Sequence, residues 1–176
     1  NNPAFGKWSI ISHKGYFMLP KKFLCWDEQS AESIRKWSNK TNFHFAEVAE
    51  YSWLKMWTNN LIHFEEIKNI EHILNNNFNI IYTMQPSFDK FPKLILDLIS
   101  KYNSQIMFWI RFHPRHHYTK FYFKTKKILE RYQNVNFYEA SSYPLPALMS
   151  KMDLHLTGFS SSIYEANHFN IKTVFF

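Results

Sequence analysis

The fold of this chain is decided by residues 153–166, which read DLHLTGFSSSIYEA. The run at 154–157 is short and β-prone, Gly158 allows a tight turn, and three serines at 160–162 open an amphipathic run. A strand, a turn and a helix in close succession form the repeating unit of a parallel sheet covered by helices. The stretch therefore predicts an α/β fold in which a polar turn follows a buried strand.

The same alternation extends over residues 79–176. The predicted strands cover 80–84, 106–112, 135–138, 154–157 and 171–176, and the predicted helices cover 91–102, 121–132, 146–152 and 161–169. The short connections favour a doubly wound, Rossmann-like parallel sheet with helices on both faces. Right-handed crossovers then bring the loops that follow the strands to one edge, where ligands bind in this architecture.

Upstream of residue 79 the patterns are weaker. They predict strands at 22–26 and 43–48, and helices at 30–37, around residues 53–57 and at 64–74. Ser30 is the predicted N-cap of the first of these helices, and the polar run 38–42 is predicted to be a linker. The chain starts without Met and stops on a strand-like run, so we expect a piece of a longer protein.

The amino-acid composition of the chain limits the classes of function and of binding site that it can have. The formal charge of +7 favours an anionic partner: a nucleic acid, an acidic membrane surface or a phosphorylated small molecule. Only three glycines are present, which excludes both the G-x-G-x-x-G fingerprint and a Walker A loop. The single Cys25 excludes an internal disulfide and a zinc site built from several cysteines. No run is apolar and long enough to span a bilayer, and we expect a cytoplasmic protein that can work at the inner membrane face.

A histidine-rich segment, residues 111–117, follows a predicted strand and so falls on the ligand edge. Pro114 fixes its own φ and holds His113 extended. His113 and Arg115 can then both donate to phosphate oxygens. Two other interpretations stay open, namely a zinc site and a solvent-exposed loop. The basic residues that continue to Arg131 form either a basic rim beside the site or a solvated helix face.

The second candidate segment is the turn of residues 157–165. Its predicted phosphate-binding residues are Thr157, Gly158, Ser160, Ser161, Ser162 and Glu165. Serine hydroxyls and free backbone N–H groups at a helix start attract anions. Ordinary serine N-capping is the alternative. Glu165 can accept hydrogen bonds from ribose hydroxyls, or it can simply favour the helix N-terminus.

Together, the His113-Pro114 pair, the serines and the Glu165-Ala166 pair resemble the C-terminal domain of GT-B-type glycosyltransferases. The family members that the chain resembles most are bacterial sialyltransferases, polysialyltransferases and CDP-glycerol glycerophosphotransferases. The resemblance covers about residues 79–176 and implies that His113 and two of the serines contact the phosphates of a nucleotide sugar. It further implies metal-free transfer to a surface glycan, with the donor as substrate and no cofactor. The family's closing glycine and proline are absent from residues 170–174.

Residues 12–28 are similar to the end of the N-terminal domain in such enzymes. On that basis, residues 1–41 are a remnant of the acceptor domain with its hinge, and residues 42–176 are the nucleotide-sugar-binding domain. The general base of the similar sialyltransferases is an acidic motif followed by glycine, whereas Gln29 follows Asp27 and Glu28 here. Asp27, Glu28 and His13 remain weak candidates for that base. If the rest of the acceptor domain is missing from the chain, we expect nucleotide binding to persist while transfer does not.

Two alternative functions follow from the same residues. One is a non-hydrolysing sugar-nucleotide epimerase, a class that also carries a His-Pro element but usually has glycines where Ser161 and Ser162 stand. The other is a nucleic-acid-binding protein, which the charge and the aromatic content permit. The core-like spacing of the aromatic residues argues against the second, and we expect no nucleic-acid partner.

Overall fold

The structure is a computed structural model, and it describes residues 22–38, 45–49, 52–59, 62, 64–74, 78–86 and 89–176. The chain divides into two compact units, residues 1–55 and 56–176. No helix among the described residues is long and apolar enough to cross a membrane. The assignment of residues 1–41 and 42–176 to an acceptor remnant and a donor domain stays a prediction.

The first unit contains a small parallel pair of strands. Strand β1 (Lys22–Cys25) leads into helix α1 (Glu28–Ser38) and pairs with β2 (Phe45–Val48). Cys25 is buried against small residues of α1 and β2, as expected for a structural thiol. A further helix, α2 (Ser52–Thr58), spans the boundary between the two units.

The predicted N-cap of α1 is wrong. The helix begins at Glu28, and Oδ1 of Asp27 accepts a hydrogen bond from the backbone N–H of Ser30 at 2.7 Å. A carboxylate in this position satisfies a free helix N–H and also meets the positive end of the helix dipole, so it displaces serine as the cap. The same backbone hydrogen bond holds the pKa of Asp27 below its usual value.

The second unit is a five-stranded sheet with helices between its strands. A 3₁₀ helix (Glu65–Ile70) and α3 (Glu71–Leu74) precede it. The sheet segment then runs β3 (Phe78–Thr83), α4 (Lys93–Lys101), β4 (Ile106–Arg111), α5 (Lys120–Leu129), β5 (Val135–Asn136), α6 (Tyr138–Ser142), α7 (Leu145–Met149), β6 (Leu154–Thr157), α8 (Ser162–His168) and β7 (Lys172–Phe175). All pairings are parallel, in the order β5-β4-β3-β6-β7. The predicted Rossmann-like α/β fold is confirmed.

Both faces of the sheet are covered. Ile80 and Tyr82 of β3 pack in one apolar cluster with α4, while Ile81 packs in a second cluster with α7 and α8. This alternation follows from the two-residue period of a strand. Because both faces of the sheet are buried, a ligand can bind at the ends of the strands. The strand order reverses between β3 and β6, and open α/β sheets bind ligands at such a point.

Two predicted elements differ in the structure. The strand predicted at 135–138 is only Val135–Asn136, and Tyr138 instead begins the short helix α6. The side chain of Asn136 accepts a hydrogen bond from the backbone N–H of Ala140 at 3.4 Å, which favours the early start of that helix. The helix predicted at 64–74 begins as a 3₁₀ helix and becomes an α-helix only at Glu71.

Candidate functional site

The candidate site is a cavity of about 200 Å³ at the carboxyl ends of β3, β4 and β6, and the strand order reverses between β3 and β6. Open α/β sheets bind their ligands at this point. The cavity is lined by Thr83, Met84, Arg111, Phe112, His113, Pro114, Leu145, Ser160, Ser161, Ser162 and Glu165. A larger cavity of about 490 Å³, lined by residues such as Trp57, Phe64 and Phe169, contains none of the predicted site residues.

One wall of the cavity, here called the histidine wall, consists of His113 and Pro114. His113 is extended, with φ −67° and ψ 142°, as the following proline requires. Its Nδ1 accepts a hydrogen bond from the backbone N–H of Arg115 at 3.1 Å. In the neutral ring the hydrogen therefore sits on Nε2, which is a hydrogen-bond donor. Burial and then the charge of Arg115 lower the pKa of His113, so the neutral ring prevails at pH 7.

Arg115 and the other histidines of this segment are not among the residues that line the cavity. Arg115 is exposed and does not line the cavity. His116 is buried, with its ring centroid 4.7 Å from that of Phe121 and 6.1 Å from that of His113. In the described part of the chain, no three His, Cys, Asp or Glu side chains lie close enough together to hold a metal ion.

The opposite wall, here called the serine wall, is the loop of residues 160–162 that enters α8. Ser161 is exposed and occupies the N-cap position without a side-chain capping bond. The Ser160 hydroxyl accepts the backbone N–H of Ser162 at 3.3 Å. The Ser162 hydroxyl turns inward, 2.9 Å from the Thr83 hydroxyl and 3.3 Å from Nε2 of His155. The three predicted serines therefore face different surroundings, and the outward groups belong to Ser160 and Ser161.

Thr157 and Gly158 lie behind the serine wall and are not among the lining residues. Thr157 is fully buried, and its hydroxyl donates to the Thr83 carbonyl at 3.2 Å. It also accepts a hydrogen bond from Nε2 of Gln85 at 3.0 Å. Thr157 thus ties the ends of β3 and β6 together beneath the cavity.

An oppositely charged pair, Arg111 and Glu165, lines the same cavity. Nη1 of Arg111 donates to the carbonyls of Ala140 and Tyr143, each at 2.7 Å. Burial raises the pKa of Glu165, and the charge of Arg111 partly opposes that increase. The sequence analysis assigned no role in the site to Arg111. The sequence did contain a signal for such a role: Arg111 is the only charged residue of an apolar strand, and a buried charge needs hydrogen-bonding or charged partners.

A second cavity of about 220 Å³ lies next to the first. It is lined by His117, Tyr122, Phe137, Tyr138, Ser141 and Ser142. The two cavities share a boundary, because the hydroxyl of Ser141 accepts the backbone N–H of Phe112 at 3.1 Å. This aromatic cavity was also missed: four of its residues belong to α6 or directly precede it, and a strand was predicted over the first two, Phe137 and Tyr138.

Two of the candidates for a general base, Asp27 and Glu28, belong to the first unit. Asp27 caps α1, and the Glu28 carboxylate pairs with Arg35 of the same helix, so both act as helix N-terminal acids in the first unit. His13 lies outside the described residues.

The comparisons with known proteins show a likeness of fold. No protein-family profile and no curated protein sequence matches the chain. A structure of the wall teichoic acid polymerase TagF matches with a TM-score of 0.64 and 19% identity, over 89% of this chain and 38% of that one. A His-to-Asn variant of TagF, soaked with CDPG, matches with a TM-score of 0.66 and 15% identity, over 100% and 41%. The chain thus spans less than half of the polymerase.

Proposed function

We propose that this chain is the donor-binding part of a GT-B-type glycosyltransferase, which transfers a sugar from a nucleotide-activated donor to a surface glycan. One observation carries the proposal: the Nε2 donor of His113 and the outward groups of Ser160 and Ser161 line one cavity at the switch point of a doubly wound sheet. The likeness in fold to a wall teichoic acid polymerase supports it, including the structure soaked with CDPG.

The chemistry needs groups that stabilise a departing phosphate. Transfer breaks the bond between the anomeric carbon and a phosphate oxygen, and the negative charge moves onto the leaving nucleotide. Nε2–H of His113 and the hydroxyl hydrogens of Ser160 and Ser161 can donate to that charge without a metal ion. A general base must remove the proton of the acceptor hydroxyl. The lining residues offer Glu165 alone as a carboxylate, and its proximity to Arg111 favours a role in holding ribose hydroxyls.

The aromatic cavity supports a place for the nucleotide base. Its rings can stack on a planar base, and the hydroxyls of Ser141 and Ser142 can hydrogen-bond the base edges. It lies next to the proposed phosphate cavity, as a base attached to a bound phosphate must. The donor proposed here is therefore a nucleotide sugar that occupies both cavities.

Calorimetric titration with CMP, CDP, UDP and GDP tests the proposal. We expect one nucleotide to bind, and His113→Ala to weaken that binding by about tenfold, equivalent to about 1.4 kcal/mol. Lys127→Ala is the matched control, because it removes an exposed charge of α5 outside both cavities. If no nucleotide binds, or if both variants bind as the wild type does, the proposal fails.

Two further assays on the same protein distinguish the proposed function from the two alternatives. An epimerase would convert UDP-N-acetylglucosamine to its epimer without an acceptor. A nucleic-acid-binding protein would bind oligonucleotides with an affinity that falls steeply with salt and survives changes to Ser160 and Ser161. We expect neither result.

A further inference from the structure

A buried polar cluster lies directly behind the serine wall. His155 of β6 is fully buried, and its ring joins hydroxyl groups from three different elements. Nε2 lies 2.8 Å from the Thr83 hydroxyl and 3.3 Å from the Ser162 hydroxyl. Nδ1 lies 2.9 Å from the Thr173 hydroxyl of β7. The ring thus connects the end of β3 and the second residue of β7 to the start of α8.

The two ring nitrogens have different relations to the cavity. The partners of Nε2, which are Thr83 and Ser162, are both lining residues. The partner of Nδ1, Thr173, does not line the cavity. Burial lowers the pKa of His155 to about 4, so the ring is neutral at pH 7 and carries one hydrogen.

The hydroxyls leave few ways to arrange the hydrogens. Thr157 gives its hydrogen to the Thr83 carbonyl and accepts from the Thr83 hydroxyl at 3.2 Å. If Thr83 donates to Thr157, its oxygen accepts from Nε2–H of His155, and Nδ1 then accepts from Thr173. Every group in this chain of bonds is satisfied, which is what makes a buried polar cluster rigid.

We infer that His155 is a positioning residue, whose Nε2 side fixes the Ser162 and Thr83 side chains and thereby sets the serine wall against the histidine wall. The expected effect of His155 on donor binding rests on the proposed function. Its effect on the position of the loop of residues 160–162 can be tested without a ligand. Ser162 begins α8, and the first amides of α8 donate to residues of the loop: Ile163 to the Ser160 carbonyl at 3.2 Å and Tyr164 to the Ser161 carbonyl at 3.0 Å.

A pair of substitutions separates the two sides of the ring. The amide of His155→Gln reaches the position of Nε2, whereas the shorter amide of His155→Asn reaches only that of Nδ1. Hydrogen exchange of the Ile163 and Tyr164 amides is the ligand-free measurement. We expect exchange in His155→Asn to accelerate about tenfold, and exchange in His155→Gln to stay within about threefold of the wild type.

Thr173→Val is the control for stability alone, because it removes the Nδ1 partner and leaves the Nε2 side intact. It should lower the melting temperature without accelerating these amides beyond the small change expected for His155→Gln. Equal acceleration in Gln, Asn and Val variants of matched stability would overturn the inference, since the ring would then act only through global stability. Unchanged exchange in His155→Asn would overturn it as well.

Nucleotide affinity provides the second measurement. We expect His155→Asn to weaken the nucleotide identified by calorimetry by about tenfold, and His155→Gln by less than about threefold. A wild-type protein that binds none of the four nucleotides would refute the proposed function, and the exchange result would still decide the role of His155. Equal affinities in both variants, with wild-type binding intact, would refute the positioning role in donor binding.

Discussion

The two walls of the candidate cavity are fixed in opposite ways. The histidine wall is held locally, because Nδ1 of His113 accepts the backbone N–H of a residue two positions later. The serine wall is held from a distance, because Ser162 contacts a hydroxyl of β3 that lies 79 positions away in the chain. One wall is exposed and self-contained, and the other is the surface of a buried network.

Because of this difference, we expect substitutions in the two walls to affect ligand binding and protein stability to different degrees. Substitution in the histidine wall should change what the cavity binds and leave the folded protein nearly as stable. Substitution in the network behind the serine wall should change stability, with binding affected through position. The three predictions below test that division, in order of the expected change in the free energy of unfolding.

The largest effect is that of pH on the network. The pKa of His155 is about 4 in the folded protein, below the usual histidine value near 6.5, so the unfolded chain binds the proton more readily between these values. The stabilising contribution is complete above about pH 6.5 and is lost as the pH falls toward 4. We expect a loss of about 3 kcal/mol between pH 7 and pH 4.

Urea unfolding across this pH range measures the loss, with His155→Gln as the reference protein. Other groups titrate in the same interval, including His113, whose pKa is also lowered. The difference between the two proteins isolates the contribution of His155. Parallel stability curves for the wild type and the variant would contradict the prediction.

The next effect distinguishes the inward serine from the outward one. Ser162→Ala removes a hydroxyl that is hydrogen-bonded in the buried cluster, and we expect it to destabilise the protein by about 1 kcal/mol. Ser161→Ala removes an exposed hydroxyl, so its unfolding should change by less than about 0.5 kcal/mol while nucleotide affinity falls. Denaturant unfolding and calorimetry on both variants provide the test. A destabilisation by Ser161→Ala as large as that by Ser162→Ala would remove the distinction between the two serines.

The smallest effect on stability belongs to His113→Ala. The side chain is partly exposed and its one internal hydrogen bond closes a short turn, so we expect a loss of about 0.5 kcal/mol at most. Thermal unfolding of the apo protein measures it. A large fall in melting temperature would mean that the histidine wall also supports the fold, and the weaker nucleotide binding of this variant would then need another explanation.

The histidine wall was the easier of the two to predict from sequence. The residue before a proline is held extended by local sterics, so the conformation of His113 follows from its neighbour. The order of strands and helices was also predictable, because the spacing of apolar residues that distinguishes a helix from a strand is a local pattern. The same is true of the position of both walls at one edge of the sheet, since topology rules bring the loops that follow parallel strands to one edge.

The interior of the serine wall could not be predicted in this way. Nothing in the local sequence says that Ser162 turns inward while Ser161 faces outward, since this depends on Thr83 and His155 meeting Ser162 in space. The pairing of Arg111 with the carbonyls of Ala140 and Tyr143 has the same origin, because these partners lie 29 and 32 positions away in the chain. At such positions long-range packing overrides local preference.

The strand order has a consequence for how the protein acquires its site. β3 lies beside β6, and Thr83 reaches Thr157 across a separation of 74 residues, so this pairing closes a long loop during folding. Contacts of such separation form slowly, because the entropy of loop closure must be overcome before they stabilise the chain. The histidine wall can take its local shape early, whereas the cavity is complete only when β6 has docked. Competence to bind a ligand therefore requires the docking of β6, and nucleotide binding in a refolding experiment would report that step.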